Sequence, residues 1–560
     1  MNIFKKKLFL FLLVQYPITL AMAQSQGYSH ADTLRGMLTK FRSCYDVYFY
    51  DLTVKINTSN HSIIGSNAIF FHTKENFTQL QVDLFSNLKI NSITFRGKEL
   101  EYTREADAVF ITFSSEQIAG DTGKLFISYS GIPISAKNPP WDGGFVWKKD
   151  EHGKDWIGVA CEGTGASCWW PNKDYVGDEP DSMRINIIAP PDLVCASNGQ
   201  LRKKTPLPTY EISWEWFVSY PINNYNVTFN LADYVLLHDV YKRSDGSQLA
   251  LDYYVMNGEE AQAQQHFQQV KQMLACFEKY FGPYPFTRDG YKLIETVYWG
   301  MEHQSAVSYG NQFRNNKWGF DFIIIHESAH EWWGNNVSCE DMADMWIHES
   351  LATYSESLYE ECMFNYDSAL AYLVNQRWNI EDKQPIIGDY GVNYAHGDND
   401  QYYKGSWMMH TFRNVLANDS LFFSILKGIQ HDFAYQCVNS DQLIAYINSK
   451  CGTDYTWFFN QYLHYSSPPV FSYSLKQKGN DVYLFYKWKS DVQGFHMPLK
   501  IVASSSGDYF NKKKNYIRIF PTTAWQKVLI KGLNKKDFSI DQDEFYVKIE
   551  FIRKLKGVKI

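Results

Sequence analysis

The 560-residue chain lacks several patterns that would place it in a class at once. No Cys-x-x-Cys pair is present, which argues against a zinc site built from cysteines. No long basic run occurs and the net charge is -7, so the charge pattern does not favour nucleic acid as a partner. Internal repeats and low-complexity tracts are also missing. With 45% hydrophobic and 21% charged residues, the composition is that of an ordinary globular protein.

The N-terminus carries a predicted signal peptide over residues 1–23. The basic stretch "MNIFKKK" is followed by the short apolar run Leu8 to Val14, and Ala21-Met22-Ala23 has the small residues of a cleavage site. Seven apolar residues are too few to span a bilayer, and no later segment is apolar for long enough, which disfavours an uncleaved anchor. We therefore predict cleavage near Ala23, no membrane span in the mature chain, and an extracytoplasmic location, either periplasmic or secreted.

Nine cysteines in such a compartment permit disulfides, and the odd number leaves at least one unpaired. Cys161 and Cys168 are close enough in sequence to bridge one loop. The spacing does not decide whether they do, so the disulfide pattern stays open at this point.

The hydrophobic pattern divides the chain into three regions. From about Tyr45 to Tyr234, short alternating runs such as "DLTVKI" and "AVFITF" predict strands of a sandwich or open barrel. Helical spacing begins near residue 258 with "EEAQAQQHFQQVKQMLACFEKYFG" and continues to about residue 465, after which alternation returns. The predicted architecture is multidomain α+β, with an N-terminal β domain over 24–236, a mostly helical domain over 237–465, and a small C-terminal β domain over 466–560.

The stretch "FIIIHESAHEWWG" places two histidines and a glutamate directly after three isoleucines. His326 and His330 are four residues apart, so one helix face carries both and they can hold one ion. Glu327 is the next residue round the helix, where it can face a water without taking a ligand position. This is the H-E-x-x-H arrangement of zinc hydrolases.

Catalytic zinc usually has three protein ligands, and "MWIHESLATYSE" supplies the third candidate. Glu349 follows His330 with eighteen residues between them, at the start of a second predicted helix. Its apolar neighbours would make an unpaired carboxylate costly, and a cation beside it removes that cost. Asp344 could orient one imidazole from behind, or it could simply cap a helix.

These residues together resemble the aminopeptidase N family of gluzincin metallopeptidases. "YWGMEH" (298–303) resembles the family's G-A-M-E-N exopeptidase motif, "YYKG" (402–405) its Y-x-K-G segment, and "CEGTGASCWWP" (161–171) an amine-binding loop of its first domain. The likeness covers nearly the whole mature chain. It implies an N-terminal β-sandwich or saddle domain, a thermolysin-like catalytic domain and a C-terminal β-sandwich, as in a short form lacking the helical domain of larger members.

The resemblance also implies roles for individual residues. Glu327 would be the general base and Tyr402 the donor to the oxyanion, beside one Zn²⁺ per chain held by His326, His330 and Glu349. Glu302 and Glu162 would anchor the free amine, and Gly300 and Met301 would line the substrate. The implied partners are peptides with a free N-terminus, above all dipeptides and short oligopeptides.

The chain departs from the family pattern at several positions. Trp299 stands at the first Gly of the exopeptidase motif and His303 at its Asn, while His348 and Ser350 flank Glu349 in place of Asn and Gly. None is a ligand, the base or the tyrosine, so we expect hydrolysis to survive. The bulk of Trp299 could change how the substrate backbone lies along this edge, which leaves side-chain preference open. His303 and His348 could be extra polar contacts or substitutions with no mechanistic role.

Three other functions remain open from the sequence: a zinc-dependent peptide-binding protein without turnover, an epoxide hydrolase of the same family, and an endopeptidase. The motif residue Glu302 weakens the endopeptidase hypothesis. The preferred first residue, the physiological substrate and the oligomeric state are left open.

Overall fold

The computed structural model describes residues 28–393, 398–506 and 513–555. The predicted signal peptide, residues 1–23, lies outside the described residues. Two short helices, α1 (His30–Gly36) and α2 (Lys40–Ser43), precede the first sheet. Within the described residues, no helix is both long enough and apolar enough to cross a bilayer.

The first region is built from strands, as the alternating runs predict. In order along the chain they are β1 (Tyr45–Asn57), β2 (Ser62–Thr73), β3 (Phe77–Asp83), β4 (Leu88–Phe95), β5 (Lys98–Glu99), β6 (Glu101–Glu105), β7 (Ala108–Gln117), β8 (Thr122–Gly131), β9 (Gly144–Lys149), β10 (Asp155–Ala160), β11 (Ser182–Ala189), β12 (Val194–Ser197), β13 (Gln200–Pro206), β14 (Ile212–Val218) and β15 (Phe229–Ala232). They form an eight-stranded sheet (β13-β14-β11-β1-β2-β8-β4-β5), a four-stranded sheet (β12-β15-β10-β9) and a three-stranded sheet (β3-β7-β6). In β1 the alternate residues Leu52, Val54 and Ile56 are buried, as the sequence pattern requires.

The second region begins with a five-stranded sheet, in the order β16-β17-β18-β20-β19. Its strands are β16 (Tyr234–Lys242), β17 (Gln248–Met256), β18 (Tyr291–Glu295), β19 (Gly300–Met301) and β20 (Val307–Tyr309). Because β19 is the last strand of this order, one of its edges is left without a strand partner among the described residues. Tyr298 and Met301 pack into the hydrophobic core of the first region, so this outer strand lies where the two regions meet.

Helices make up most of the second region. They are α3 (Glu260–His266), α4 (Gln268–Phe281), α5 (Phe322–Ala329), α6 (Trp346–Met363), α7 (Tyr366–Gln376), α8 (Tyr403–Leu416), α9 (Asp419–Asp432), α10 (Ser440–Cys451) and α11 (Thr456–Leu463), with the short strands β21 (Val337–Cys339) and β22 (Gln436–Val438) paired among them. The apolar face of α4 is buried, and this helix ends at Gly282 with φ 99°, a conformation that favours glycine. A disulfide joins Cys276 on α4 to Cys362 on α6, whereas Cys161 and Cys168 are free thiols.

The third region returns to strands. They are β23 (Val470–Lys478), β24 (Asp481–Lys489), β25 (Leu499–Ser506), β26 (Lys513–Ile519), β27 (Gln526–Ile530) and β28 (Lys548–Phe551), arranged as a four-stranded sheet (β27-β24-β23-β28) and a β25-β26 pair. Their buried side chains continue the core of the helical region. The predicted α+β architecture, strands then mostly helices then strands, is confirmed, and the domain borders stay predictions.

Candidate active site

The first two ligand candidates lie at the end of α5. Asp321 starts this helix by accepting a hydrogen bond from the backbone of Ile323 at 3.1 Å, and the three isoleucines are buried. The Nε2 atoms of His326 and His330 are 3.4 Å apart. Glu349 comes from the first turn of α6, and its Oε2 atom lies 3.5 Å and 3.6 Å from those two nitrogens.

These distances fit a zinc ion. Zinc binds imidazole nitrogen and carboxylate oxygen at about 2.0–2.2 Å in a tetrahedron, which places neighbouring ligand atoms roughly 3.3–3.6 Å apart. Oε2 of Glu349 is buried and makes no hydrogen bond among the described residues. An unpaired buried carboxylate oxygen is costly, and a cation at this point removes the cost. The sequence prediction of these three ligands therefore agrees with the geometry.

The two imidazoles are oriented from behind by groups that sequence reasoning missed. Nδ1 of His326 bonds to Oε1 of Glu356 at 2.7 Å, and Nδ1 of His330 bonds to the backbone oxygen of Trp333 at 2.9 Å. Glu356 is itself held by the Tyr372 hydroxyl at 2.5 Å and by the Gln376 amide at 2.7 Å. With Nδ1 as donor in each ring, Nε2 keeps its lone pair for the metal.

The prediction that Asp344 orients an imidazole is wrong. Its Oδ1 atom instead accepts hydrogen bonds from the hydroxyls of Ser440 and Tyr390, the latter at 2.9 Å. It also accepts from the backbone amide of Ser440 at 3.3 Å, in the first turn of α10. The alternative interpretation, in which Asp344 caps a helix N-terminus, agrees better with these contacts, and the helix is α10.

Glu327 is buried beside the ligands and faces the outer strand β19. Burial raises the pKa of Glu327 to about 7, opposed by the charge of His326 and reinforced by that of Glu349. Such a value suits a general base at neutral pH. Gly300 makes the approach possible, because a Cβ there would lie 2.6 Å from Oε1 of Glu327 and 2.9 Å from Cγ2 of Ile323.

Tyr402 lies immediately before α8, with its ring centroid 6.3 Å from that of His326. Burial, and the charges of Glu349, Glu162 and Glu302, raise its pKa well above the usual range, so the hydroxyl keeps its proton. The segment is fixed by Ser350, whose hydroxyl donates to the backbone oxygen of Gln401 at 2.5 Å. Ser350, which stands where the family usually has Gly, therefore holds the backbone beside Tyr402 in place.

Two further carboxylates, Glu302 and Glu162, face the ligand Glu349. One oxygen from each of the three lies within 4.8 Å of the others. Glu302 is buried and accepts a hydrogen bond from the Tyr225 hydroxyl at 3.1 Å, while Glu162 reaches the site on the loop after β10. Burial first, and then the neighbouring carboxylates, raise the pKa of both residues well above the usual range. A cationic group between them would relieve this repulsion.

His303 and His348, the two histidines that depart from the family pattern, lie behind the site. Nδ1 of His303 bonds to the Ser308 hydroxyl at 3.0 Å, and Nε2 of His348 accepts from the backbone amide of Cys339 at 2.8 Å. Burial lowers the pKa of each to about 3, so both are neutral. They act as hydrogen-bonding residues of the core.

The metal-ligand candidates and the carboxylates beside them open onto one cavity of about 460 Å³. It is lined by the ligand candidates, Glu327, Tyr402, Glu302, Glu162, Gly300 and Met301, and further out by Trp141, Trp299 and Phe322. Tyr225, Glu356 and Trp141 were not predicted from the sequence. Only Glu356 carried a usable signal, since it lies seven residues after Glu349 and so on the same face of α6.

Comparison with known proteins supports this description. Residues 266–462 match the model of the peptidase family M1 domain. Endoplasmic reticulum aminopeptidase 1 of Mus musculus is 22% identical over 374 residues, which is 62% of this chain and 40% of that protein. Aminopeptidase N of Streptomyces lividans is 26% identical over 313 residues, 50% of this chain and 35% of that protein. The matches thus span about two fifths or less of these relatives' length.

Solved structures share the fold. An M1 zinc metallopeptidase from Deinococcus radiodurans superposes with a TM-score of 0.64 at 18% identity, covering 76% of this chain and 95% of that one. A mutant of a Deinococcus radiodurans M1 zinc metallopeptidase, bound to a Tyr-Ser-Ala substrate, also has a TM-score of 0.64. A two-domain M1 zinc metallopeptidase mutant bound to L-tryptophan has a TM-score of 0.63 over 95% of its chain.

Proposed function

We propose that this chain, which belongs to the M1 family of zinc metallopeptidases, is an aminopeptidase that removes the first residue from peptides with a free N-terminus. One observation carries the proposal: oxygens of Glu302 and Glu162 lie within 4.8 Å of an oxygen of the ligand Glu349. A free α-amine has a pKa of about 8 and is largely protonated at neutral pH, so two carboxylates beside the metal suit it. Holding the amine there places the first peptide bond next to the metal and Glu327.

The residues around that bond have complementary tasks. Zinc, when held by the three ligands, polarises the carbonyl and lowers the pKa of water. Glu327 accepts the proton of the attacking water and delivers it to the nitrogen of the leaving amine. The protonated Tyr402 hydroxyl donates a hydrogen bond to the oxyanion, a contribution of about 3 kcal/mol for one such donor. We propose one zinc ion per chain.

The test compares a free aminoacyl chromogenic substrate with its N-acetylated twin, with and without a chelator. We expect rapid turnover of the free substrate, little of the acetylated one, and loss of activity with the chelator. The Glu327→Gln variant should keep its zinc, measured by mass spectrometry of the metal, and lose hydrolysis. Equal turnover of the two substrates would remove the aminopeptidase proposal, and zinc-loaded wild-type protein without turnover would favour a peptide-binding protein.

We also propose an extracytoplasmic location. The leader pattern supports it, and so does the Cys276–Cys362 disulfide, since such bonds persist in oxidising compartments. The precursor expressed in a bacterium should yield, outside the cytoplasm, a mature chain that begins at Gln24 when its N-terminus is sequenced. An intact leader on cytoplasmic protein would contradict this proposal.

A further inference from the structure

Two tryptophans stand exposed at the mouth of the cavity. Trp141, in the loop between β8 and β9, is 64% exposed, and Trp299, just before β19, is 43% exposed. Both line the cavity, and their ring centroids are 6.1 Å apart. Since large aromatic rings are mostly buried in folded proteins, an exposed pair at the entrance of a site points to a ligand contact.

The pair continues inward as a row of rings. Trp299 stacks on Phe322 with centroids 5.6 Å apart and planes at 27°, and Phe322 stacks on the ligand His326 at 5.2 Å and 23°. The indole nitrogen of Trp299 donates to the Asn311 side chain at 3.2 Å, which fixes the ring. The row therefore connects solvent to the metal site.

The position of Trp299 along the chain places it on the far side of β19 from the amine site. Trp299 directly precedes the two-residue strand β19 (Gly300–Met301), and Glu302 directly follows it. A peptide extended along the open edge of β19, with its amine at Glu302, runs past Met301 and Gly300 towards Trp299. The residues that follow its first residue therefore approach the two tryptophans.

We propose that Trp299 and Trp141 form an aromatic platform that binds the side chain of the second or third residue of the peptide. The platform selects substrates with an aromatic or large aliphatic side chain downstream of the first bond. Aromatic rings favour offset or edge contacts with centroids about 4.5–7 Å apart, the range already spanned by the two indoles. This inference rests on the proposed aminopeptidase function and adds its substrate class.

The test uses four N-terminally free peptide amides: Ala-Gly-Gly, Ala-Phe-Gly, Ala-Gly-Phe and Ala-Glu-Gly. Released alanine gives kcat/KM for each. We expect phenylalanine at the second or third position to raise kcat/KM about 5- to 10-fold over the all-glycine peptide, and glutamate to give no gain. The readout is this ratio within one protein, so a general change in activity cancels.

Variants assign the effect to the platform. Trp299→Gly, which restores the residue of the family motif, and Trp141→Ala should bring the phenylalanine-to-glycine ratio close to 1, while Trp299→Phe should keep most of it. Trp378→Ala is the matched control, because Trp378 is 90% exposed and does not line the cavity. Its ratio should equal that of the wild type.

The outcomes separate the two proposals. Turnover of all four peptides at equal kcat/KM overturns the platform and leaves the aminopeptidase intact. If no peptide is cleaved, the aminopeptidase proposal fails and the platform is judged by calorimetry on zinc-loaded protein. Tighter binding of Ala-Phe-Gly amide than of Ala-Gly-Gly amide then supports it, and equal affinity overturns it.

Discussion

The two ends of the cavity are built in different ways. The metal end, His326, His330 and Glu349, comes from two neighbouring helices, and each of these residues is at most 7% exposed. The substrate edge, consisting of Glu162, Tyr225, Trp141, Trp299 and Glu302, combines β19 and its approach with loops of the first β region. The metal end thus depends on local spacing, whereas the edge depends on how two regions meet. We expect substitutions at the first to remove the chemistry and those at the second to change what is accepted.

The largest effect is expected from Glu349→Ala. Loss of a third ligand leaves two imidazoles, too few for a catalytic zinc site. Zinc content measured by mass spectrometry and hydrolysis of a free aminoacyl substrate should both fall to background. Glu360→Gln, a buried carboxylate further along the same helix, is the control and should keep both. A zinc-loaded, active Glu349→Ala protein would contradict the ligand assignment.

Glu356→Gln tests the support of the metal end. Losing the negative charge behind His326 should weaken zinc affinity about 10- to 100-fold, the usual effect of removing such a partner. Competition with a chelator of known affinity measures this change. At saturating zinc much of the activity should return, and an unchanged zinc affinity would show that the 2.7 Å contact has no effect on the metal.

Glu302→Gln tests the substrate edge. In the proposed role of Glu302, this change removes one charged partner of the amine and should lower kcat/KM for free substrates about 10- to 100-fold, by the roughly 1.5–3 kcal/mol of a hydrogen bond to a charged group. Zinc content should not change. Preference for the free substrate over its acetylated twin should shrink, and an unaltered preference would place the amine elsewhere.

Tyr225→Phe should have the smallest effect. The substitution removes the 3.1 Å hydrogen bond to Glu302 and a longer contact, 3.4 Å, with Nδ1 of His348, and it leaves both carboxylates in place, so we expect KM to rise about 2- to 10-fold with kcat little changed. In the Glu302→Gln background the same substitution should add less, because both act on one contact. Full additivity would mean that the tyrosine acts independently of Glu302.

The difference between the two ends also explains what the sequence could predict. The spacing of His326, His330 and Glu349 indicates a zinc site because helix geometry converts those intervals into proximity. Asp344 was a wrong choice because nearness in sequence to Glu349 does not place it behind an imidazole. Its role belongs to Glu356, two turns along α6.

At the substrate edge, the sequence predicted only those residues that belong to a family motif. Glu302 and Glu162 were found through resemblance, and the structure brings them together. Tyr225 and Trp141 carry no local pattern, because their positions depend on the packing of the first β region against β19. The sequence shows Trp299 as a departure from the exopeptidase motif. Its proposed role could be inferred only from the structure, where it stacks on Phe322 and Phe322 stacks on His326.

The disulfide between Cys276 and Cys362 closes a covalent ring with a sequence separation of 86 residues. His326, His330 and Glu349 all lie inside that ring. It restricts the unfolded chain, with a loop-closure contribution of about 4–5 kcal/mol for this length. A denatured but oxidised chain therefore keeps its three zinc-binding side chains tethered in one loop and recovers the metal more readily than a reduced one.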